Sequence, residues 1–290
     1  MNVAVIGTGR MGAAMAGRFR GAGFPVVVHN RTRSKAEQVA GAHDCSVAGS
    51  PREAVADADV VVVSLADDDA VLAAYDGVDG ILAGLRAGAV VCETSTVAPA
   101  TVRGLAQRIR GTGAALLDTP VSGSVSTVEA GGLVVMAGGD PDALDRARPV
   151  LDSMARSVVH LGPVGTGAAM KLAVNGVLHG LNIALSEALV LAERAGIERE
   201  AAYDVIAGSA VGAPFVSYKR AAFLDPDGTP VAFALDLVAK DLELAAALAD
   251  EVGAPTPQLD RNREVIGAVV AAGLGPADLS AVAEYLRAHG

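Results

Sequence analysis

The chain predicts an α/β protein in two parts: an N-terminal domain of alternating strands and helices over residues 1–162, and an all-α domain over residues 163–290, joined by a long helix. Three observations predict it. Short β-branched runs alternate with helical stretches as far as about residue 160. One of those runs, "DVVVVSLA" at 59–66, has no polar alternation, as expected of a strand covered on both faces of a parallel sheet. From residue 166 onward no convincing strand follows.

Taken in order, the strands are "NVAVI" (2–6), "PVVVHN" (25–30), "DVVVVSLA", "AVVCETS" (89–95), "AALLD" (114–118), "LVVMAG" (133–138) and "SVVHL" (157–161). The stretches between them are helical, so the domain builds from βαβ units. "HLGPVGTG" closes this part, and it is too short for a flexible linker. The helical run "GTGAAMKLAVNGVLHG" (165–180) continues through "LNIALSEALVLAERAG" to Gly196 without a proline. Later helices are separated by "GSAVGAP", "FLDPDGTPV", "VGAPTP" and "GLGPADLS". A cleft between the two domains is the expected place for an active site.

Composition narrows the function classes. With 290 residues, 51% hydrophobic and 19% charged, the chain can bury two cores. A formal net charge of -10 argues against a general nucleic-acid or acidic-membrane surface. No uninterrupted apolar stretch reaches membrane-spanning length, and 176–193 is broken by His179, Asn182, Ser186 and Glu187. The chain opens directly on a strand-like "MNVAVIG" with no basic region or cleavage site, so a cytoplasmic location is expected. Cys45 and Cys92 have neither the number nor the spacing for a disulfide framework or zinc motif, and the five histidines are scattered. No metal is expected.

"VAVIGTGRMG" sets Gly7, Gly9 and Gly12 between a buried strand and a helix, with Arg10 and Met11 at the helix start. Gly7 serves the tight turn, Gly9 the approach of a pyrophosphate, and Gly12 the packing of helix on strand. The helix N-terminus then offers amides to phosphate, the arrangement of a Rossmann-type dinucleotide site. After the second strand, "HNRTRSK" has no acid to hold a ribose hydroxyl. Asn30, Arg31 and Thr32 suit a 2′-phosphate instead, so NADP(H) is expected in preference to NAD(H).

"LLDTPVSGS" (116–124) forms a Ser-Gly turn that could present a hydroxyl and amides to a carboxylate. Together with "GTGRMG", "HNRT", "ETST" (93–96), "EAGGLVVMAGG", "GTGAAMKLAVN" and "KDLELA" (240–245), it makes the whole chain resemble the β-hydroxyacid dehydrogenase family, which includes 3-hydroxyisobutyrate dehydrogenases and glyoxylate/succinic semialdehyde reductases.

The resemblance implies an NADP-preferring enzyme that interconverts a small semialdehyde or oxo acid and its hydroxy acid. It implies Lys171 as the catalytic acid/base, with Ser122, Gly123, Asn175 and Lys240 binding substrate. Thr96 and Lys240 would flank the nicotinamide, Leu65 would touch the cofactor through its backbone, and Asp241 would support the "KDL" helix. Two departures from the family pattern blur the substrate: Val174 and Gly176 flank Asn175, and Gly132 stands where threonine is frequent. Asn175 lies four residues after Lys171, on the same helical face. His179, a further four on, reads as a packed helix histidine and is assigned no role. A homodimer or homotetramer through the helical domain is also implied.

Two rivals are weighed. An imine reductase is similar in fold and cofactor selector, but its proton-donor position usually lacks lysine. A non-catalytic NADP-binding protein of the same fold is expected to have lost the lysine or the Ser-Gly loop, and both are present.

Overall fold

The computed structural model describes residues Met1–His289 and divides the chain into two compact units, residues 1–171 and the part from Leu172 onward. Strands β1 (Val3–Ile6), β2 (Val26–His29), β3 (Ser46–Val47), β4 (Val60–Val63), β5 (Val90–Glu93), β6 (Ala115–Asp118), β7 (Val121–Ser122), β8 (Leu133–Gly138) and β9 (Ala155–Gly162) form one nine-stranded sheet in the first unit. Its order is β3-β2-β1-β4-β5-β6-β8-β7, with β9 paired to β8.

From β3 to β6 every pairing is parallel, and the registers align Val3–Ile6 with Val26–His29 on one side and Val60–Val63 on the other. Alternate residues of the central strands feed separate cores. Val3, Val5, Val60, Val62, Val90 and Cys92 pack with Met15, Ala16 and Phe19 of the helix Arg10–Gly21. Ala4, Ile6, Val61, Val63 and Val91 pack with Val102, Leu105 and Ile109 of the helix Pro99–Arg110. Both faces are covered, which explains the unbroken valine runs.

The far edge differs from a uniformly parallel sheet. β8 runs antiparallel to β6 and β7, while β9 returns parallel to β8. This reversal brings the end of β8 beside the end of β6, at the pair Asp118–Gly138.

No strand occurs among the described residues after Gly162. The helix Thr166–Arg194 is long and apolar enough to cross a membrane by length and composition, yet Leu172, Ile183, Leu185 and Leu189 are buried in a helical core. That core also takes Tyr203, Phe215, Phe223, Val238 and Leu242 from later helices. Lys219 and Asp278 form a buried ion pair in this unit, with Nζ 2.7 Å from both carboxylate oxygens.

Candidate active site

At the end of β1 the chain turns at Gly7 with φ +95°, a conformation that strongly favours glycine. A Cβ at Gly7 would overlap the Ser64 carbonyl, and one at Gly12 would overlap the Gly7 carbonyl. Strand, turn and helix are therefore in direct backbone contact. Gly9 is the N-cap of the helix Arg10–Gly21, and a Cβ built there meets nothing within 4 Å. The first turn has no acidic residue, so no side-chain carboxylate offsets the positive end of the helix dipole there. A helix start of this kind suits a phosphate group.

Asn30 ties two turns together. Its Oδ1 accepts the Thr8 amide at 3.1 Å and its Nδ2 donates to the Thr32 carbonyl at 3.1 Å. Arg31 is exposed and makes no hydrogen bond or ion pair among the described residues, whereas Arg33 is engaged by Glu37 at 2.8 Å. With Asn30 spent on the backbone, Arg31 and Thr32 are the groups at this edge that suit a phosphate.

Beyond β4 and β5 the next two turns are joined by hydrogen bonds. The Leu65 amide donates to Ser95 Oγ at 2.8 Å, so a backbone contact from Leu65 to a cofactor is left to its carbonyl. The Ser95 amide donates to Glu93 Oε1 at 3.1 Å, and Tyr75 OH donates to Glu93 Oε2 at 2.9 Å. Glu93 is completely buried, which pushes its carboxyl up to about 7 even though Ser95 and Tyr75 favour the ionised form. Thr96 follows this knot, half-buried. Sequence reasoning selected Leu65 and Thr96 but missed Glu93 and Ser95 beneath them.

The Ser-Gly turn stands at the end of β7. Gly123 has φ +142°, and a side chain there would run into Leu133 and Thr127. Ser124 and Thr127 close the turn with a capping box, which leaves the Ser122 side chain half-exposed. Lys171 reaches the same place. Its Nζ donates to the Val121 carbonyl at 2.8 Å, one residue before Ser122.

The start of the helix that carries Lys171 is bonded by Asp118, a residue that nothing in its local sequence singles out. Asp118 is buried at the end of β6, and its carboxylate accepts the amides of Gly165 (2.9 Å) and Ala168 (2.7 Å). It thereby caps the N-terminus of Thr166–Arg194. Burial raises its carboxyl pKa, and the backbone donors oppose that rise.

In the second unit, Asn175 Nδ2 donates to buried Asp241 Oδ2 at 2.6 Å, and Lys240 Nζ lies 3.0 Å from Asp241 Oδ1. Burial favours the neutral acid, but His179 and Lys240 outweigh it and hold the Asp241 carboxyl below its usual range. Asp241 accepts the Asn175 amide and pairs its charge with Lys240. Among the described residues no group of three or more His, Cys, Asp or Glu is arranged to hold a metal ion.

Two family profiles match. Residues 2–162 match the NAD binding domain of 6-phosphogluconate dehydrogenase, and residues 165–286 match the NAD-binding domain of NADP-dependent 3-hydroxyisobutyrate dehydrogenase. Glyoxylate/succinic semialdehyde reductase 2, chloroplastic, of Arabidopsis thaliana is 34% identical over 99% of this chain and 80% of its own length. The NAD-dependent L-serine dehydrogenase of Pseudomonas aeruginosa is 36% identical over 88% of this chain and 87% of its own. Among solved structures, Mycobacterium tuberculosis 3-hydroxyisobutyrate dehydrogenase with L-serine superposes with a TM-score of 0.83 at 34% identity, covering 99% of both chains. With a glycine turn and bare helix N-terminus shaped for a dinucleotide, and with likeness over both units, the chain is an NAD(P)-binding oxidoreductase and belongs to the β-hydroxyacid dehydrogenase family.

Proposed function

We propose that this enzyme interconverts a small carboxylate-bearing semialdehyde or oxo acid and its hydroxy acid, preferring NADP(H), with Lys171 as general acid/base. The observation that carries the reading is the bond from Lys171 Nζ to the Val121 carbonyl, which sets an ammonium beside the Ser122–Gly123 turn. Ser122 and the Gly123 backbone orient the substrate carboxylate, and that fixes its carbonyl oxygen toward Lys171. When bound, the cofactor would supply or accept the hydride. Lys171 gives its proton to the developing alkoxide in reduction and takes it back in oxidation.

Gly7, Gly9, Arg10, Met11 and Gly12 hold the pyrophosphate. Arg31 and Thr32 select the 2′-phosphate, supported by the absence of an acid after β2 and by Asn30's engagement with backbone. The Leu65 carbonyl and Thr96 complete the cofactor contacts. Asn175, one helical turn after Lys171, and Lys240 are further substrate-binding groups, Lys240 also flanking the nicotinamide. The proposed division of labour is residues 1–162 for cofactor and 163–290 for substrate and self-association as a dimer or tetramer.

Steady-state assays with NADPH and NADH against glyoxylate, succinic semialdehyde, methylmalonate semialdehyde, tartronate semialdehyde and a cyclic imine test this reading. Reduction of at least one carbonyl acid, faster with NADPH, is expected. Turnover of the imine alone would overturn the carbonyl-acid substrate class, and turnover of none of the carbonyl acids would overturn the proposed substrate reading.

A further inference from the structure

His179 lies in the helix Thr166–Arg194, completely buried, and neither ring nitrogen has a hydrogen-bond partner among the described residues. An imidazole always carries at least one N–H, and burying that donor unpaired is unfavourable. An acceptor stands close by. Asp241 Oδ2 is 3.7 Å from His179 Nε2, roughly half an ångström beyond ordinary hydrogen-bond range.

That same oxygen accepts Asn175 Nδ2, while the other carboxylate oxygen faces Lys240. Three donor-bearing side chains thus surround one carboxylate, two from Thr166–Arg194 and one from Leu235–Val252. Phe233 packs against the imidazole with ring centroids 5.9 Å apart, which limits how the ring can turn away. An ionised carboxylate only accepts, so Asn175 can face Asp241 only with its NH₂ group.

We propose that His179 is a positioning residue: acting through Asp241, it holds the Asn175 amide with its nitrogen on the carboxylate and its oxygen left for substrate, so that Asn175 acts as a hydrogen-bond acceptor. That polarity suits the hydroxyl of a hydroxy acid and not its carboxylate, which the Ser122–Gly123 turn is suited to take. The inference rests on the reading of Asn175 as a substrate-binding group.

Two measurements test it on the full chain. The Asn175 side-chain NH₂ gives a pair of ¹⁵N-correlated proton signals, identified by their loss in Asn175→Asp. His179→Phe keeps a ring against Phe233 and removes the donor; the signals are expected to move, and their protection from solvent exchange to fall by about tenfold, the scale of one weakened hydrogen bond. His179→Gln restores a donor and is expected to return them toward their native positions. Signals unchanged in His179→Phe overturn the inference, whether or not the enzyme reading stands. The kinetic arm uses NADPH with succinic semialdehyde, or whichever carbonyl acid of the panel is reduced fastest. His179→Phe is expected to lower kcat/KM about tenfold without changing NADPH affinity, and to add no further loss in an Asn175→Ala background. Additive losses overturn the positioning role. A native protein that reduces no carbonyl acid overturns the proposed function, and the amide signals then decide the inference alone.

Discussion

Lys171 Nζ and the Val121 carbonyl oxygen, fifty residues apart in sequence, are 2.8 Å apart in space. The ammonium is thereby held at the mouth of the Ser122–Gly123 turn, by a partner that is main chain. A lysine merely extending its stem to water has no need of that bond.

If this ammonium is the proton donor, Lys171→Ala lowers the rate of hydride transfer by about 10²- to 10⁴-fold, the usual worth of a positioned acid. NADPH affinity is expected to hold, since the glycine turn and Arg31 are untouched. Stopped-flow reduction is the measurement; a rate within about threefold of native would remove Lys171 from the chemistry.

Arg31→Asp replaces an exposed cation at the end of β2 with an anion. The ratio of kcat/KM for NADPH over NADH is expected to fall at least about tenfold, the lower edge for a charge-assisted contact. An unchanged ratio means that Arg31 is only a solvated loop charge.

Glu93 makes stability depend on pH. Its folded carboxyl titrates at about 7 against an ordinary value of 4.5, so the folded state binds the proton more tightly than the unfolded chain does. Its contribution is fully present below about pH 4.5 and is lost as pH rises through about 7, on the order of 3 kcal/mol across that window. Glu93→Gln is expected to flatten this part of the stability curve, read by urea unfolding at several pH values. A slope identical to native would show that Glu93 does not carry it.

Asp118→Asn leaves an acceptor for one of the two capped amides and turns an NH₂ toward the other. A loss of about 1–3 kcal/mol is expected, the cost of a buried donor left unpaired. Thermal unfolding reads it. The same variant is expected to lower turnover, because the cap fixes the start of the helix that carries Lys171. Native stability in Asp118→Asn would show the cap to be dispensable.

The legibility of this chain in its sequence follows distance. The seven strands read from the sequence each contain or overlap one of the observed strands, and the doubly covered sheet with its helical second half follows from patterns only a few residues long. The turn at Gly7 and the packing of Gly12 on the Gly7 carbonyl are equally legible, because they lie close together in sequence, whereas the overlap of a Gly7 side chain with the Ser64 carbonyl is a distant contact. β3 and β7, at two residues each, are too short to show a period, and the reversed direction of β8 leaves no mark in composition. Asp118 looks like an ordinary strand end; its role depends on amides 47 and 50 residues away. Asp241 and Asn175 meet across 66 residues, a pairing that no local spacing could announce.

The Val121 carbonyl also separates two properties that enzymes often entangle. Because this partner of Lys171 is a peptide oxygen, substitution of the Val121 side chain, or of residues around the turn that keep its path, leaves that contact in place. Under the proposed function, acids of different size could then be accommodated by exchanging side chains along β7 and the turn, with the backbone contact of Lys171 kept beneath them.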